Sequence, residues 1–202
     1  MPEAARIPNL PREAWTAEVE TLFPLMLPPG STARGSDFNS ILVLAQHPEL
    51  ADPYLRFNAA LAKGCVLPAR LKEIAILRVA WRRGSEYEWI HHAISASRIG
   101  MTSGELAALM QEGEATIFPA HERAIIAATD DVCLNGGIGD AAWPAIASSL
   151  DTQQVMELLF VVGCYMMLAA VLKTAGAPVE EPIAARFAEL GLPALAGLKG
   201  SA

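Results

Sequence analysis

The sequence predicts an all-α fold, and three observations support that prediction. Apolar residues recur with the spacing of one helix face, as Tyr54, Phe57 and Leu61 do. Glycines close several such segments, and helix-start signals such as those at Thr102 and Asp151 open others. No window alternates between apolar and polar residues over a useful length. We therefore predict helices throughout and no sheet.

The chain divides into a predicted arm and a predicted helical domain. Residues 1–36 are rich in Pro, Gly and Ser, and we expect an N-terminal arm with one short helix near 12–25. Residues 37–202 are predicted to form a single helical domain, a bundle. Its helices are expected, in chain order, over 37–47, 51–64, 68–84, 85–100, 102–113, 119–137, 139–150 and 151–176, with a short one near 181–190.

Start and stop signals define most of these helices. An Asp or Ser cap is expected for 37–47, and Gly64 stops the next helix. The segment 68–84 begins with Pro and ends with Gly, which is the usual asymmetry of helix ends, and 85–100 again ends with Gly. Glu105 follows Thr102 and Gln154 follows Asp151 by three residues, so both of these later helices are expected to begin with a capping box.

Composition restricts the possible partners. Hydrophobic residues make up 52% of the 202 residues and charged residues only 18%, against a usual charged share of about 25%. A single chain of this size would expose part of that apolar surface, so we expect a homo-oligomer. The net charge of −7 and the lack of a long basic run argue against a nucleic-acid partner.

The cysteines and the apolar runs predict a cytoplasmic protein without a membrane span. Three cysteines lie far apart and form no CxxC, which is typical of a reducing compartment. The N-terminal residues carry prolines and acids where a signal peptide needs a basic and then an apolar stretch. The longest apolar run, 158–172, is shorter than the roughly 20 residues of a membrane span and is predicted to be a buried helix.

The stretch "SEYEWIHH", residues 85–92, concentrates titratable side chains in an otherwise apolar chain. Glu88 and His92 are four residues apart on a helix and share a face, as do Tyr87 and His91 on the adjacent face. A carboxylate beside an imidazole can transfer protons near neutral pH. We therefore predict an acid–base site here.

Two other interpretations of this stretch stay open. Ser85 and Glu88 have capping-box spacing, so Glu88 could simply cap the helix. A metal site using Glu88, His91 and His92 is disfavoured, because the spacing matches no HExxH-type site; no metal is predicted.

The preceding helix carries two charges within its apolar run. Glu73 lies beside Ile74 and is either on a solvent stripe or deliberately buried. Arg78 could hold an anionic substrate or pair with a buried acid in a salt bridge.

Residues 70–106, "RLKEIAILRVAWRRGSEYEWIHHAISASRIGMTSGEL", resemble the core of the carboxymuconolactone decarboxylase family, which includes the alkyl hydroperoxidase D-like proteins. The resemblance extends to "HPEL" (47–50), "HERAIIAATDDV" (121–132) and "QQVMELLFVVGCYMMLAAVLKTAG" (153–176), and so covers most of 38–180. It implies an all-helical, alkyl hydroperoxidase D-like fold that assembles as homo-oligomers, commonly trimers or hexamers.

The resemblance also implies where the peroxidase branch of the family would place its redox residues. Its glutamate falls on Glu73 and its histidine on His92, while its two cysteines fall on Ser85 and Glu88. Because a thiolate is the peroxide-reactive group, the disulfide-peroxidase chemistry is not expected here.

The decarboxylase branch, which lacks the CxxC, resembles this chain better. Its type reaction removes CO₂ from 4-carboxymuconolactone in aromatic-compound catabolism, without a metal or organic cofactor. Carried onto this chain, the resemblance implies His92 and Glu88 as proton donors and Glu73 as the residue that orients the histidine. Arg78 would anchor a carboxylate, and Tyr87 and His91 would contact the substrate.

Three functions from different classes follow from the sequence. The first is a cofactor-free acid–base enzyme acting on a small, cyclic, carboxylated substrate. The second is a hydroperoxidase-like oxidoreductase with an altered redox centre. The third is a non-catalytic oligomeric protein that keeps the fold alone. The missing CxxC counts against the second, and the retained Glu73, Glu88 and His92 count against the third.

Overall fold

The computed structural model describes residues 5–27, 37–113 and 115–195, and within these ranges it contains helices and no strands. The all-α prediction is confirmed. The α-helices are α1 (Ala17–Glu20), α2 (Asn39–Leu44), α3 (Pro48–Gly64), α4 (Ala69–Arg83), α5 (Glu86–Arg98), α6 (Ser103–Leu109), α7 (Ala120–Asn135), α8 (Trp143–Ser149), α9 (Thr152–Ala175) and α10 (Glu181–Glu189). Two 3₁₀ turns, Arg12–Ala14 and Phe23–Met26, flank α1.

Helix α4 lies at the centre of the bundle and packs against α5, α7 and α9. Every residue from Ile74 to Ala80 is buried, because neighbouring helices cover this helix on several sides. The sequence of such a central helix is therefore apolar around most of the circumference of the helix, and not on one face only. This arrangement holds α5, which follows directly, in a fixed position against the core.

The turn from α4 to α5 sets the start of the polar stretch. Gly84 has φ 61°, a left-handed conformation that suits glycine. The next residue, Ser85, donates its N–H to the carbonyl of Ala80 at 2.8 Å and so closes α4. Helix α5 begins immediately afterwards, which places Tyr87 and Glu88 in its first turn.

The predicted helix starts are confirmed in two of three cases. Complete capping boxes open α6, at Thr102 and Glu105, and α9, at Asp151 and Gln154. The Asp or Ser cap expected for α2 is wrong, because its N-cap is Phe38, and the first N–H of the helix, that of Asn39, is instead accepted by the distant carboxylate of Glu180.

The described part of the arm, residues 5–27, packs onto α2 and α3. Val19 and Leu22 share a small apolar core with Ile41 and Leu55. The ammonium group of Lys63 on α3 donates to carbonyls at the end of the arm, those of Leu25 at 3.0 Å and Leu27 at 2.9 Å. The predicted division after residue 36 stays a prediction, and the segment 28–36 lies outside the described residues.

Helix α9 is the most apolar element. Over the described residues it alone is long and apolar enough to cross a membrane, with a mean hydropathy of 2.3. In this structure it packs against α4, α7 and α3, and 44% of the apolar window is buried. The buried-helix prediction therefore holds for one side, while Met156, Phe160 and Met167 are each about half exposed on the other.

Candidate active site

A cavity of about 490 Å³ lies between α2, α3, α5, α9 and α10, and the arm contributes Met26 to its wall. Its apolar walls include Ile41, Leu44, Leu55 and Leu168. Helix α5 supplies most of the polar lining, namely Tyr87, Glu88, His91, His92, Ser95 and Arg98. The sequence-predicted stretch therefore faces a cavity that is partly open to solvent and of a size that takes a small organic molecule.

Glu88 is buried at the cavity without a hydrogen-bond partner. Only 2% of the residue is exposed, and neither carboxyl oxygen contacts a donor among the described residues. Buried polar groups in proteins are almost always paired, so an unpaired carboxyl at a cavity is an unusual feature. Such a group is free to bind a ligand.

The capping interpretation of Glu88 is wrong. A capping box needs Glu88 to accept the backbone N–H of Ser85, but that N–H is already bonded to Ala80 in closing α4. The Ser85 side chain caps nothing either, and its hydroxyl is buried and unpaired. The N–H of Ser85, which would complete a capping box for α5, is used instead to close α4.

Burial changes the ionisation of Glu88. Loss of contact with water disfavours the carboxylate and raises the pKa of Glu88 from 4.5 to about 7. The neighbouring Ser85 hydroxyl, which lies close but makes no well-formed hydrogen bond to the carboxyl, and the charge on His92 oppose this shift without cancelling it. The side chain therefore holds a proton in a substantial fraction of molecules at neutral pH. A carboxyl group in this state can donate a proton or a hydrogen bond.

His92 and Glu73 form a dyad between α5 and α4. Nδ1 of His92 lies 2.8 Å from Oε2 of Glu73, so one ring nitrogen is bonded and the other is left for chemistry. The ring meets Tyr165 edge-on, with centroids 4.9 Å apart. Burial lowers the pKa of His92, but the adjacent carboxylate of Glu73, with a smaller contribution from Glu88 when that group is ionised, outweighs it, and the net effect raises that pKa. Imidazolium is thus favoured beside Glu88.

Tyr87 and His91 line the cavity with their rings while their polar tips bind Glu180. The Tyr87 hydroxyl donates to Oε1 of Glu180 at 2.6 Å, and Nε2 of His91 lies 2.8 Å from Oε2. The two rings stack with centroids 4.5 Å apart. Glu180 also accepts the backbone N–H of Asn39 at 2.6 Å, so this one carboxylate joins α2, α5 and the start of α10. Nothing in the sequence around residue 180 pointed to this role.

Arg78 does not reach the cavity, and the prediction that it anchors a substrate is corrected. Its side chain is fully buried and binds both carboxylate oxygens of Asp130, at 2.7 and 2.6 Å. A remaining nitrogen donates to the carbonyls of Leu109 and Gln111. The alternative interpretation, a salt bridge to a buried acid, is the one that the structure shows.

Sequence reasoning missed several polar residues of the cavity. Asn58 is buried, and its amide nitrogen lies 3.4 Å from Sγ of Cys164 and 3.5 Å from the hydroxyl of Tyr54. Tyr165 comes from α9, inside the run predicted to be purely apolar. An asparagine one turn after Tyr54 on an apolar helix face was the one available signal.

The described residues hold no cluster of three or more His, Cys, Asp or Glu side chains suited to a metal ion. The cysteines are free thiols. Burial raises the pKa of the Cys133 and Cys164 thiols, which disfavours the reactive thiolate.

Comparison with known proteins gives a family and a fold. The family model described as the carboxymuconolactone decarboxylase family matches residues 48–131. No curated protein matches the chain.

Solved structures match the fold at low sequence identity. The debrominase Bmp8, as a Cys-to-Ala variant in complex with 2,3,4-tribromopyrrole, has a TM-score of 0.70 at 17% identity and covers 92% of this chain and 97% of its own. An uncharacterised peroxidase-related protein from Ralstonia eutropha JMP134, with an alkylhydroperoxidase AhpD core, has a TM-score of 0.63 at 14% identity and covers 72% and 78%.

A protein of unknown function from Agrobacterium tumefaciens, named as a candidate AhpD antioxidant defence protein, has a TM-score of 0.62 at 14% identity and covers 66% of this chain and 92% of its own. These structures share the helical fold of this chain. Over residues 48–131 the chain is similar to the carboxymuconolactone decarboxylase family, and its helices have the alkyl hydroperoxidase D-like fold.

Proposed function

We propose that this protein is a cofactor-free acid–base enzyme that removes CO₂ from a small cyclic carboxylic acid of the 4-carboxymuconolactone type, in aromatic-compound catabolism. The observation that carries the proposal is the unpaired, buried carboxyl of Glu88 at the cavity. A protein that only kept the fold would gain nothing from a buried group without a partner, which is destabilising. Functional sites are where such groups persist.

The proposed reaction consumes one proton. The bond between the ring carbon and the departing carboxylate breaks, and its electron pair passes into the unsaturated lactone. A proton must then reach carbon, and negative charge on the lactone oxygen must be stabilised meanwhile. We assign the proton to His92, oriented by Glu73, and the stabilising hydrogen bond to protonated Glu88. Solvent restores the proton on His92 after each turnover.

Shape and polarity of the cavity support a small ring as the substrate. Stacked Tyr87 and His91 offer a flat aromatic wall, and Leu55 and Leu168 supply apolar contacts. The debrominase of similar fold also holds a small ring, a tribrominated pyrrole. The hydroperoxidase-like alternative has no such support, since Ser85 and Glu88 stand where that chemistry needs sulfur.

We also propose that the protein acts in the cytoplasm as a homo-oligomer, a trimer or a hexamer. Exposed residues on α9 recur at alternating intervals of four and three, the spacing of a helix-packing seam. They are Met156, Phe160, Gly163, Met167 and Ala170. Phe57 extends this surface and meets Phe160 edge-on at 5.9 Å. A second copy covering the seam would explain why so apolar a helix is only partly buried.

The function is tested by CO₂ release from 4-carboxymuconolactone. We expect turnover by the wild type and a loss of about 10²-fold or more in His92→Gln, because general acid catalysis typically contributes 10²–10⁴-fold. Glu88→Leu, which removes the hydrogen-bond donor, should also lose turnover while remaining folded, whereas Glu88→Gln can still donate a hydrogen bond and should retain part of the activity. Glu86→Gln, in the same helix turn but exposed, is the matched control and should keep full activity. No CO₂ release by the wild type would refute the assigned reaction.

A further inference from the structure

Among the arginines described between residues 37 and 195, Arg98 alone makes no hydrogen bond or salt bridge to another described residue. The others bind carboxylates, as Arg56, Arg70 and Arg82 do, or backbone carbonyls, as Arg83 and Arg123 do. Arg78 and Arg186 are likewise paired. A guanidinium group carries five donors and is normally matched to acceptors. The donors of Arg98 are therefore available.

Arg98 is also the one Lys or Arg side chain that lines the cavity. It follows His91 by seven residues, so it lies on nearly the same face of α5, about 10 Å further along the helix axis. Glu88 lies towards the opposite end of the same helix. The cavity therefore has a carboxyl group towards one end and a permanent positive charge at the other.

We propose that Arg98 anchors the carboxylate of an anionic substrate, so that the site selects small monocyclic carboxylic acids over their neutral analogues. This inference rests on the proposed function and supplies the anchor that Arg78 does not provide. The planar guanidinium can bind a carboxylate through two parallel hydrogen bonds. The carboxylate at Arg98 is held away from Glu88, and the neutral part of the ring points towards Glu88 and His92.

A purely structural role makes a different prediction. Arg98 is the last residue of α5, where a positive charge favours the helix C-terminus. That role would change the stability of the protein but not its preference between ligands. Selectivity between two ligands of the same shape therefore distinguishes the two roles.

The test measures binding of benzoate and benzamide by calorimetry at about pH 6, where Glu88 is mostly neutral. The two probes have the same ring and nearly the same size and differ in charge. We expect the wild type to bind benzoate about tenfold more tightly than benzamide. This difference is at the low end of the range for a charge-assisted hydrogen bond, because Arg98 is exposed to solvent. Arg98→Gln should lose most of this preference with benzamide binding unchanged, the remainder being due to the imidazolium of His92, and Arg98→Lys should keep more of it. Arg56→Gln, which removes an exposed arginine away from the cavity lining, should behave as wild type.

Two results would overturn the proposal. One is a benzoate preference that is undiminished in Arg98→Gln. The other is a wild type that does not prefer benzoate, including one that does not bind it. Because binding is measured without turnover, either result leaves the His92→Gln activity test standing. Conversely, the protein could prefer benzoate through Arg98 and yet release no CO₂. That outcome would support the role of Arg98 and count against the proposed reaction alone.

Discussion

Replacing Glu88 with glutamine should make the protein more resistant to alkaline pH. In the folded protein burial raises the pKa of Glu88 to about 7, whereas in the unfolded chain the carboxyl titrates near 4.5. Between these values the folded state binds more protons than the unfolded state. The free energy of unfolding therefore falls as the pH rises through this window. Glutamine has nearly the same shape and cannot ionise, so Glu88→Gln lacks this loss.

The size of the effect follows from the two pKa values. Each unit of difference corresponds to about 1.4 kcal/mol, and the full difference of about 2.5 units to about 3.5 kcal/mol. At pH 5 part of this free energy of unfolding has already been lost, because the carboxyl of the unfolded chain is then largely ionised. From about pH 5 to about pH 9 the wild type should lose about 2.5 kcal/mol that Glu88→Gln does not lose. Glu88 is also one of the carboxylates that raise the pKa of His92, so Glu88→Gln removes that contribution as well.

Urea denaturation at a series of pH values measures this difference. The quantity of interest is the free energy of unfolding of Glu88→Gln minus that of the wild type. Glu86→Gln makes the same substitution at an exposed position in the same turn of α5 and should show no such trend. A difference between Glu88→Gln and the wild type that stays constant within about 0.5 kcal/mol would refute the claim that Glu88 is held as a neutral acid.

Three further predictions concern other parts of the molecule. Phe160→Lys places a charge in the exposed seam of α9, so light scattering should show a smaller particle than the multi-chain wild type; a wild type that is already monomeric would contradict the interface. The triple variant Cys65→Ala, Cys133→Ala, Cys164→Ala should consume peroxide with a dithiol donor no more slowly than the wild type, and a large activity lost in that variant would restore the peroxidase hypothesis. Glu180→Gln should lower the free energy of unfolding by about 2 kcal/mol, because hydrogen bonds to a charged acceptor are lost, and a change below about 0.5 kcal/mol would show that the link between α5 and α10 matters little.

Local signals predicted the helices because capping and glycine stops act within a few residues. Thr102 with Glu105 and Asp151 with Gln154 form the boxes that their spacing predicts. The same spacing failed at Ser85. There the preceding helix ends only two residues earlier, at Arg83, and takes the N–H that a box would need. The end of α4 and a capping box on α5 both require the N–H of Ser85, and residue spacing alone does not show which of the two uses it.

Partners far apart in the sequence set the limits of prediction at the site. Arg78 in an apolar run was compatible with a substrate or with a buried acid, and Asp130, 52 residues later, decides between them. Glu180 lies 89 residues from His91 and carries no sequence signal. His92 and Glu73 were predictable because they match a family motif. The unpaired state of Glu88 was not predictable from the sequence, because it depends on whether any neighbouring helix places a hydrogen-bond donor beside the carboxyl.

The central claim is that a positioned acid of this cavity delivers a proton to carbon. Turnover of 4-carboxymuconolactone in D₂O tests this most directly, with the product examined by NMR for the position and face of the carbon-bound deuterium. Delivery from His92 predicts one deuterium per product, added to a single face of the ring, and a rate reduced about 10²-fold or more in His92→Gln. Deuterium distributed equally over both faces in the wild-type product would mean that solvent protonates a released intermediate, and would contradict the claim.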